Sequence, residues 1–273
     1  MTDHQSQPQP PADLTTLYPQ FRDAIQDLTH QWGFIVIRTA YDTEESQWET
    51  ALSKLRAYAT PVDSSAEMHP STFALPVISD RTLLRDADVN SVRKAFNGWV
   101  HDFMTRNKNS HDDDNNDSQN EDYSNPWPSD LRRDSFIIID TLSLTSLLNA
   151  PLPVPSHSHK PQPWVTVVDT ETPLDPENPA AWYHGGGPYL GFTRASVWAL
   201  SDLYDELECD LSLEQRTRPR EYENQIPLYD GLDGKLVDPE DGVLGRRFIM
   251  GTPRGCGGGR GRRGPPPGAG YVE

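Results

Sequence analysis

The stretch NKNSHDDDNNDSQNEDYSNP, residues 107–126, has almost no large apolar side chain and splits the apolar patterning of the chain into two sets. A run this polar cannot bury enough surface to offset the entropy of ordering it. Residues 105–130 are therefore expected to form a disordered acidic insertion. The apolar pattern resumes with SFIIID (Ser135–Asp140), a buried-strand signal. One domain is expected to continue across the insertion.

On the N-terminal side, Leu17, Phe21, Ala24, Ile25, Leu28 and Trp32 recur at helical spacing up to Gly33. FIVIRTAY (Phe34–Tyr41) is β-branched and aromatic and predicts a strand. Asp42 followed by Glu45 resembles a capping pair for a helix carrying Trp48, Ala51, Leu52 and Leu55 on one face. FALPVISD predicts a second strand, weakened by Pro76. From about Asp88 a helix presents Val89, Val92, Phe96, Trp99, Val100 and Phe103, a wide apolar face that belongs in a core.

Beyond the insertion, a short helix over Leu142–Asn149 follows the SFIIID strand. A proline-rich loop then leads to the strand WVTVVD (Trp164–Asp169). GPYLGFTR is expected as the last strand, and ASVWALSDLYDELE as a helix with Val197, Leu200, Tyr204 and Leu207 inward. Past Leu213 the pattern fades into charged residues and Asp-Gly turns, and the chain ends in the low-complexity RGCGGGRGRRGPPPGAGYVE. The expected organisation is a disordered segment 1–13, an α+β domain over 14–213 and a poorly ordered tail over 214–273. The fold class is α+β: a single mixed or antiparallel sheet covered by helices, a ferredoxin-like two-layer arrangement among the options.

Composition narrows the function classes. Only 35% of the 273 residues are hydrophobic, and 25 are proline, so part of the chain is expected to lie outside the core. The net charge of −17 is uneven: six arginines from Arg246 onward face only Glu273, which leaves −22 on the first 245 residues. An acidic body repels phosphate backbones, so nucleic-acid contact is not expected from the folded part. The two cysteines, Cys209 and Cys256, fit neither a disulfide framework nor a metal knuckle. The N-terminus lacks a signal-peptide pattern, and no apolar run approaches ~20 residues. An intracellular, membrane-free protein is expected, with cytoplasm and nucleus both open.

Several stretches together carry a resemblance. WGFIVIRTAY, QWETALSKLRAY and VISDRTLLRDADVNSVRKAFNGWV, followed by FIIID, WVTVVD and YLGFTRASVWALSDLYDEL, resemble a large family of uncharacterised proteins from filamentous fungi. There a G-F-x-I-x-R-T strand precedes a Trp-bearing helix and a V-R-x-x-F-x-x-W helix. The likeness covers Leu14 to Leu211. Phe192 stands where the family more often has Trp-Met, and the chain past Leu213 departs from the pattern. The resemblance implies a folded domain and brings no activity, cofactor or site residue with it.

The candidate sites are few. His184–Gly187 has the form of an oxyanion-hole loop, but no G-x-S-x-G elbow exists and no histidine lies downstream, so a turn is expected. Asp80, Asp140 and Asp169 each close a strand signal. They would cap the segments that follow or, if gathered at one sheet edge, hold a hard cation such as Mg²⁺. His157 and His159 lack further zinc ligands nearby. Arg38 would bind an anion or pair with an acidic neighbour. Trp48, Trp99, Trp164 and Trp198 belong to the core.

GRGRRG (Gly259–Gly264) has no helix to follow it, so no dinucleotide site is implied. With few aromatic residues beside it, the tail is not expected to carry RNA binding. No catalytic, cofactor or metal residue is assigned. The leading expectation is a non-enzymatic protein-interaction domain. The alternatives are a metal-dependent enzyme built on the strand-end aspartates and an RNA-associated protein acting through the Arg/Gly tail.

Overall fold

Gly33 and Pro76 mark a break that runs across three neighbouring strands. β1 (Trp32–Gly33) and β2 (Val36–Arg38) come from one strand-forming stretch, and β3 (Phe73–Ala74) and β4 (Val77–Ile78) from another. β5 (Asp130–Leu131) and β6 (Ser135–Ile139) form the third pair. β1 lies parallel between β3 and β5, while β2 lies parallel between β4 and β6. Pro76 has no N–H to give to a ladder. Gly33 adopts φ +136°, and a Cβ there would lie 2.2 Å from the Ala74 carbonyl oxygen. Only glycine fits such an approach. Single bonds carry the ladder over the break, from Val36 N–H to the Pro76 carbonyl (2.8 Å) and from Ile137 N–H to the Ile35 carbonyl (2.9 Å).

The computed structural model describes residues 13–60, 72–109, 127–128, 130–152, 162–171, 191–208, 213, 226–231, 233–237 and 244–249. Its remaining strands are β7 (Trp164–Asp169), β8 (Phe192–Ser196), β9 (Ile226–Tyr229), β10 (Asp233–Val237) and β11 (Leu244–Ile249). Beside the small sheet β3-β1-β5 stands an eight-stranded one, β11-β10-β9-β8-β7-β6-β2-β4. β6, β7 and β8 run antiparallel to one another in turn, β9 joins β8 in parallel, and β9 to β11 alternate again. The fold is α+β with a mixed sheet.

Helices cover both faces. Phe34, Val36, Ile137, Ile139 and Val167 meet α2 (Glu45–Ala59), α5 (Thr141–Asn149) and α6 (Leu200–Glu208). Ile35, Ile37, Phe136 and Ile138 meet α1 (Tyr18–Ile25), α3 (Arg81–Leu84) and α4 (Val89–Asn109). There are therefore three layers, where a ferredoxin-like arrangement would have two. β6 is apolar at four successive positions, so both its faces must be covered. The α4 side is aromatic: Phe96 stacks on Phe136 at 4.4 Å, and Phe21 packs edge-on to Phe96 at 5.9 Å.

Two buried cations tie elements together. Arg93 of α4 donates to the Asp169 carbonyl (2.7 Å) and the Gly191 carbonyl (2.9 Å), holding α4 to the adjacent ends of β7 and β8. Lys54 of α2 donates to the Leu148 and Ala150 carbonyls, both at 2.6 Å, and so closes the C-terminus of α5.

The structure moves several expected boundaries. Trp32 starts β1 and is not part of the first helix, which ends at Ile25. α4 runs to Asn109, into the first residues of the expected insertion. At its other end Trp127 is buried against Phe21 and Phe103, and Asp130 belongs to β5. Residues 110–126 lie outside the described residues. β8 is not the last strand: the sheet continues through three more strands beyond Leu213. Among the described residues no helix is long and apolar enough to cross a membrane.

Candidate functional site

The strand-end aspartates are separated by strand direction. Asp80 and Asp140 follow the parallel strands β4 and β6 and lie at the same edge. β7 runs the other way, and Asp169 pairs with Ser135 at the start of β6. At ~3.3 Å per residue the length of β6 puts Asp169 roughly 16 Å from Asp140. One cation cannot be shared by all three. Among the described residues no group of three or more His, Cys, Asp or Glu is placed to hold a metal.

Each aspartate has a local role. Asp80 accepts from the backbone N–H of Thr82 (2.9 Å) and Leu83 (3.0 Å) at the start of α3. Asp140 forms a capping box with Ser143 at the start of α5, and its second oxygen accepts from the Thr166 hydroxyl at 3.1 Å. Asp169 accepts from Glu171 N–H at 2.9 Å. Burial, with the carboxylates of Glu171 and Asp134 nearby, pushes its carboxyl up to about 6.

The topology opens a crevice elsewhere. The helix after β2 (α2) packs on one face of the sheet, whereas the helices after β4 (α3 and α4) pack on the other. Where the following helices diverge in this way, a gap is left outside the carboxyl ends of the two strands, and ligands of open parallel sheets bind there. A cleft of about 530 Å³ occupies that place between β2 and β4. Its walls are Arg38, Tyr41 and residues 42–45 from the β2–α2 connection, with Ser79 and Arg81 from the β4–α3 connection.

Arg38 forms the floor. It is the last residue of β2 and only 3% exposed. Its Nε donates to the Ala40 carbonyl (3.1 Å), and its Nη1 donates to both carboxylate oxygens of Glu45 at 2.9 Å. The guanidinium also lies over the rings of Tyr41 (4.5 Å) and Trp48 (4.4 Å), a cation–π contact strengthened by burial. Nη2 makes no hydrogen bond among the described residues. Of the two roles expected for Arg38, the acidic partner is observed, and it is Glu45. The expected Asp42–Glu45 capping pair does not form, because Asp42 pairs instead with Arg85 and Glu44 is the N-cap residue.

The hydroxyls are unevenly satisfied. Tyr41 and Ser79 share a hydrogen bond at 3.2 Å, and burial raises the Tyr41 phenol above its ordinary value. Thr43 Oγ1 is buried with no hydrogen-bond partner among the described residues, an arrangement that costs about 1–3 kcal/mol. At the rim, Arg81 and Glu44 are exposed, and neither side chain has an ion-pair or hydrogen-bond partner among the described residues. The cleft walls contain no histidine, cysteine or lysine. The Ser79 hydroxyl shares its hydrogen bond with the Tyr41 phenol, whose proton burial helps to retain. The cleft presents donors at its floor and, among the described residues, one unpaired charge of each sign at its rim.

Arg38 was legible in the sequence as a residue of interest. Thr43, Glu44 and Arg81 were not, because their grouping depends on β2 and β4 being parallel neighbours, and no local pattern signals that. His184–Gly187, His157, His159 and Gly259–Gly264 lie outside the described residues, as do both cysteines. Comparison with family models, curated proteins and solved structures finds no match to this chain.

Proposed function

We propose that this protein is a non-enzymatic binding domain that acts inside the cell through contact with another protein, with the cleft between β2 and β4 as its recognition point. The observation that carries this is the cleft's position at the switch point combined with its chemistry. Its groups suit a polar partner, and among the described residues no group of three or more His, Cys, Asp or Glu that could hold a metal accompanies them. The spacing of Cys209 and Cys256, which suits no disulfide framework, supports the intracellular setting. The GFIVIRT and VRKAFNGW stretches support membership of the fungal family they resemble.

Affinity capture from host lysate tests the proposal, using the full chain and a double charge reversal, Glu44→Arg with Arg81→Glu. Both positions are exposed, so the fold is expected to survive. The expected result is a set of proteins held by the native chain, insensitive to RNase and lost with the reversal. The same set held equally by both proteins would overturn the proposal. Capture that disappears with RNase, or with removal of residues 250–273, would favour RNA association through the Arg/Gly tail instead.

A further inference from the structure

Ion pairing in the cleft leaves a specific remainder. Glu45 is paired with Arg38, and Asp42 with Arg85. These two pairs cancel, and among the described residues one cation, Arg81, and one anion, Glu44, are left unpaired on the walls of the same cleft. The first comes from the β4–α3 connection and the second from the β2–α2 connection, so a ligand between them would face both. Deeper in, Arg38 Nη2, which makes no hydrogen bond among the described residues, adds a donor. Donors and a cation suit a carboxylate; Glu44 suits a cationic nitrogen.

We infer that the cleft binds a zwitterionic group, a carboxylate beside an ammonium or similar cationic nitrogen. The carboxylate would accept from Arg38 Nη2 and Arg81, and the cation would face Glu44. This rests on the cleft being the recognition point and adds the chemistry of what it recognises. A dianion such as phosphate is disfavoured, because Glu44 would repel it and Arg81 alone brings an uncompensated positive charge. The cleft's volume, in the range of small-ligand sites, suits a group the size of an amino acid or a pair of charged side chains. The two sources share this chemistry: a free α-amino acid, or an acidic and a basic side chain side by side on a partner's segment.

The test is a titration of the ¹⁵N-labelled full chain, followed by amide shifts of residues 38–45 and 79–81 and by the Trp48 indole signal. The probes are glycine, the blocked dipeptide N-acetyl-aspartyl-lysine amide, acetate, methylammonium and inorganic phosphate. A zwitterionic probe is expected to saturate with a dissociation constant of order 1 mM. Acetate or methylammonium alone, and the zwitterion with Glu44→Gln or Arg81→Gln, should each bind about fivefold more weakly. Tm should change by no more than a few degrees in either variant, since neither side chain has an ion-pair or hydrogen-bond partner among the described residues and each contributes only a helix-end charge.

Saturation by glycine with the dipeptide inert identifies a free amino acid; tighter binding of the dipeptide identifies a partner's segment. Phosphate binding more tightly than either zwitterion would overturn the inference, as would absence of saturation by both, or affinities indifferent to both variants. Zwitterion binding that persists while lysate capture ignores the cleft would support this inference and remove the protein-contact proposal alone.

Discussion

Asp169 shows how much of a residue's behaviour its surroundings set. As a strand-end aspartate it was expected to cap the next segment or hold a cation. Folding buries it beside Glu171 and Asp134, and its carboxyl rises from 3.8 to about 6. Between those values the folded state holds a proton that the unfolded chain has released, so this group's contribution to stability falls as pH rises from about 4 to 6. Asp205, pushed to about 6 by burial and by the carboxylates of Asp202, Glu208 and Glu206, acts in the same direction. Asp169→Asn keeps an oxygen for Glu171 N–H and removes the charge. Thermal unfolding should show it about 1–2 kcal/mol more stable than the native chain at pH 7.5, with no difference near pH 4. A gain that is the same at both pH values would refute this assignment.

At the scale of elements, apolar faces and the caps at Asp80 and Asp140 were legible, whereas the cap of α2 and strand continuity were not. On the α4 face Val92, Phe96, Trp99 and Phe103 are buried as their spacing implied, with Val89 and Val100 partly so, and Asp88 caps the helix by accepting from Asn90 and Ser91 N–H, both at 3.0 Å. Asp140 likewise caps α5. FIVIRTAY reads as one strand but folds as β1 and β2, because the break belongs to three strands together and is fixed by the close approach of Gly33 to Ala74. The capping box gives a direct test of the roles left open for the strand-end aspartates. Asp140→Ala should destabilise by about 1–2 kcal/mol in urea unfolding, whether or not magnesium is present. Stabilisation of the native chain by magnesium that vanished in this variant would point back to a cation at Asp140.

The whole molecule extends further than its patterning does. The apolar signal fades after Leu213, yet β9 pairs with β8 and buries Leu228 and Tyr229, and β10 and β11 widen the sheet. A chain ending after Ile249 should unfold at the same temperature as the full chain. A chain ending after Leu213 leaves β8 as an open edge and uncovers the core where Tyr229 packs. It should lose about 3 kcal/mol or more and aggregate at concentrations the full chain tolerates. Equal melting of the two shortened chains would show that β9 to β11 add nothing to the folded unit.

By itself the sequence determined the α+β class, the helix faces, the strand ends at Asp80, Asp140 and Asp169, and the absence of a hydrolase elbow. These are properties of neighbours along the chain: periodicity, capping chemistry and motif order. Only the tertiary structure decided the number of layers, the parallel run of β4, β2 and β6, the separation of Asp169 from the other two aspartates, and the cleft itself. Strand order and direction come from pairing between segments far apart in the chain, and the energy that selects them is the burial of both faces of β2 and β6 at once. Arg81 and Glu44 lie 37 positions apart in the sequence. Their meeting across one cleft follows from that pairing and from nothing local to either.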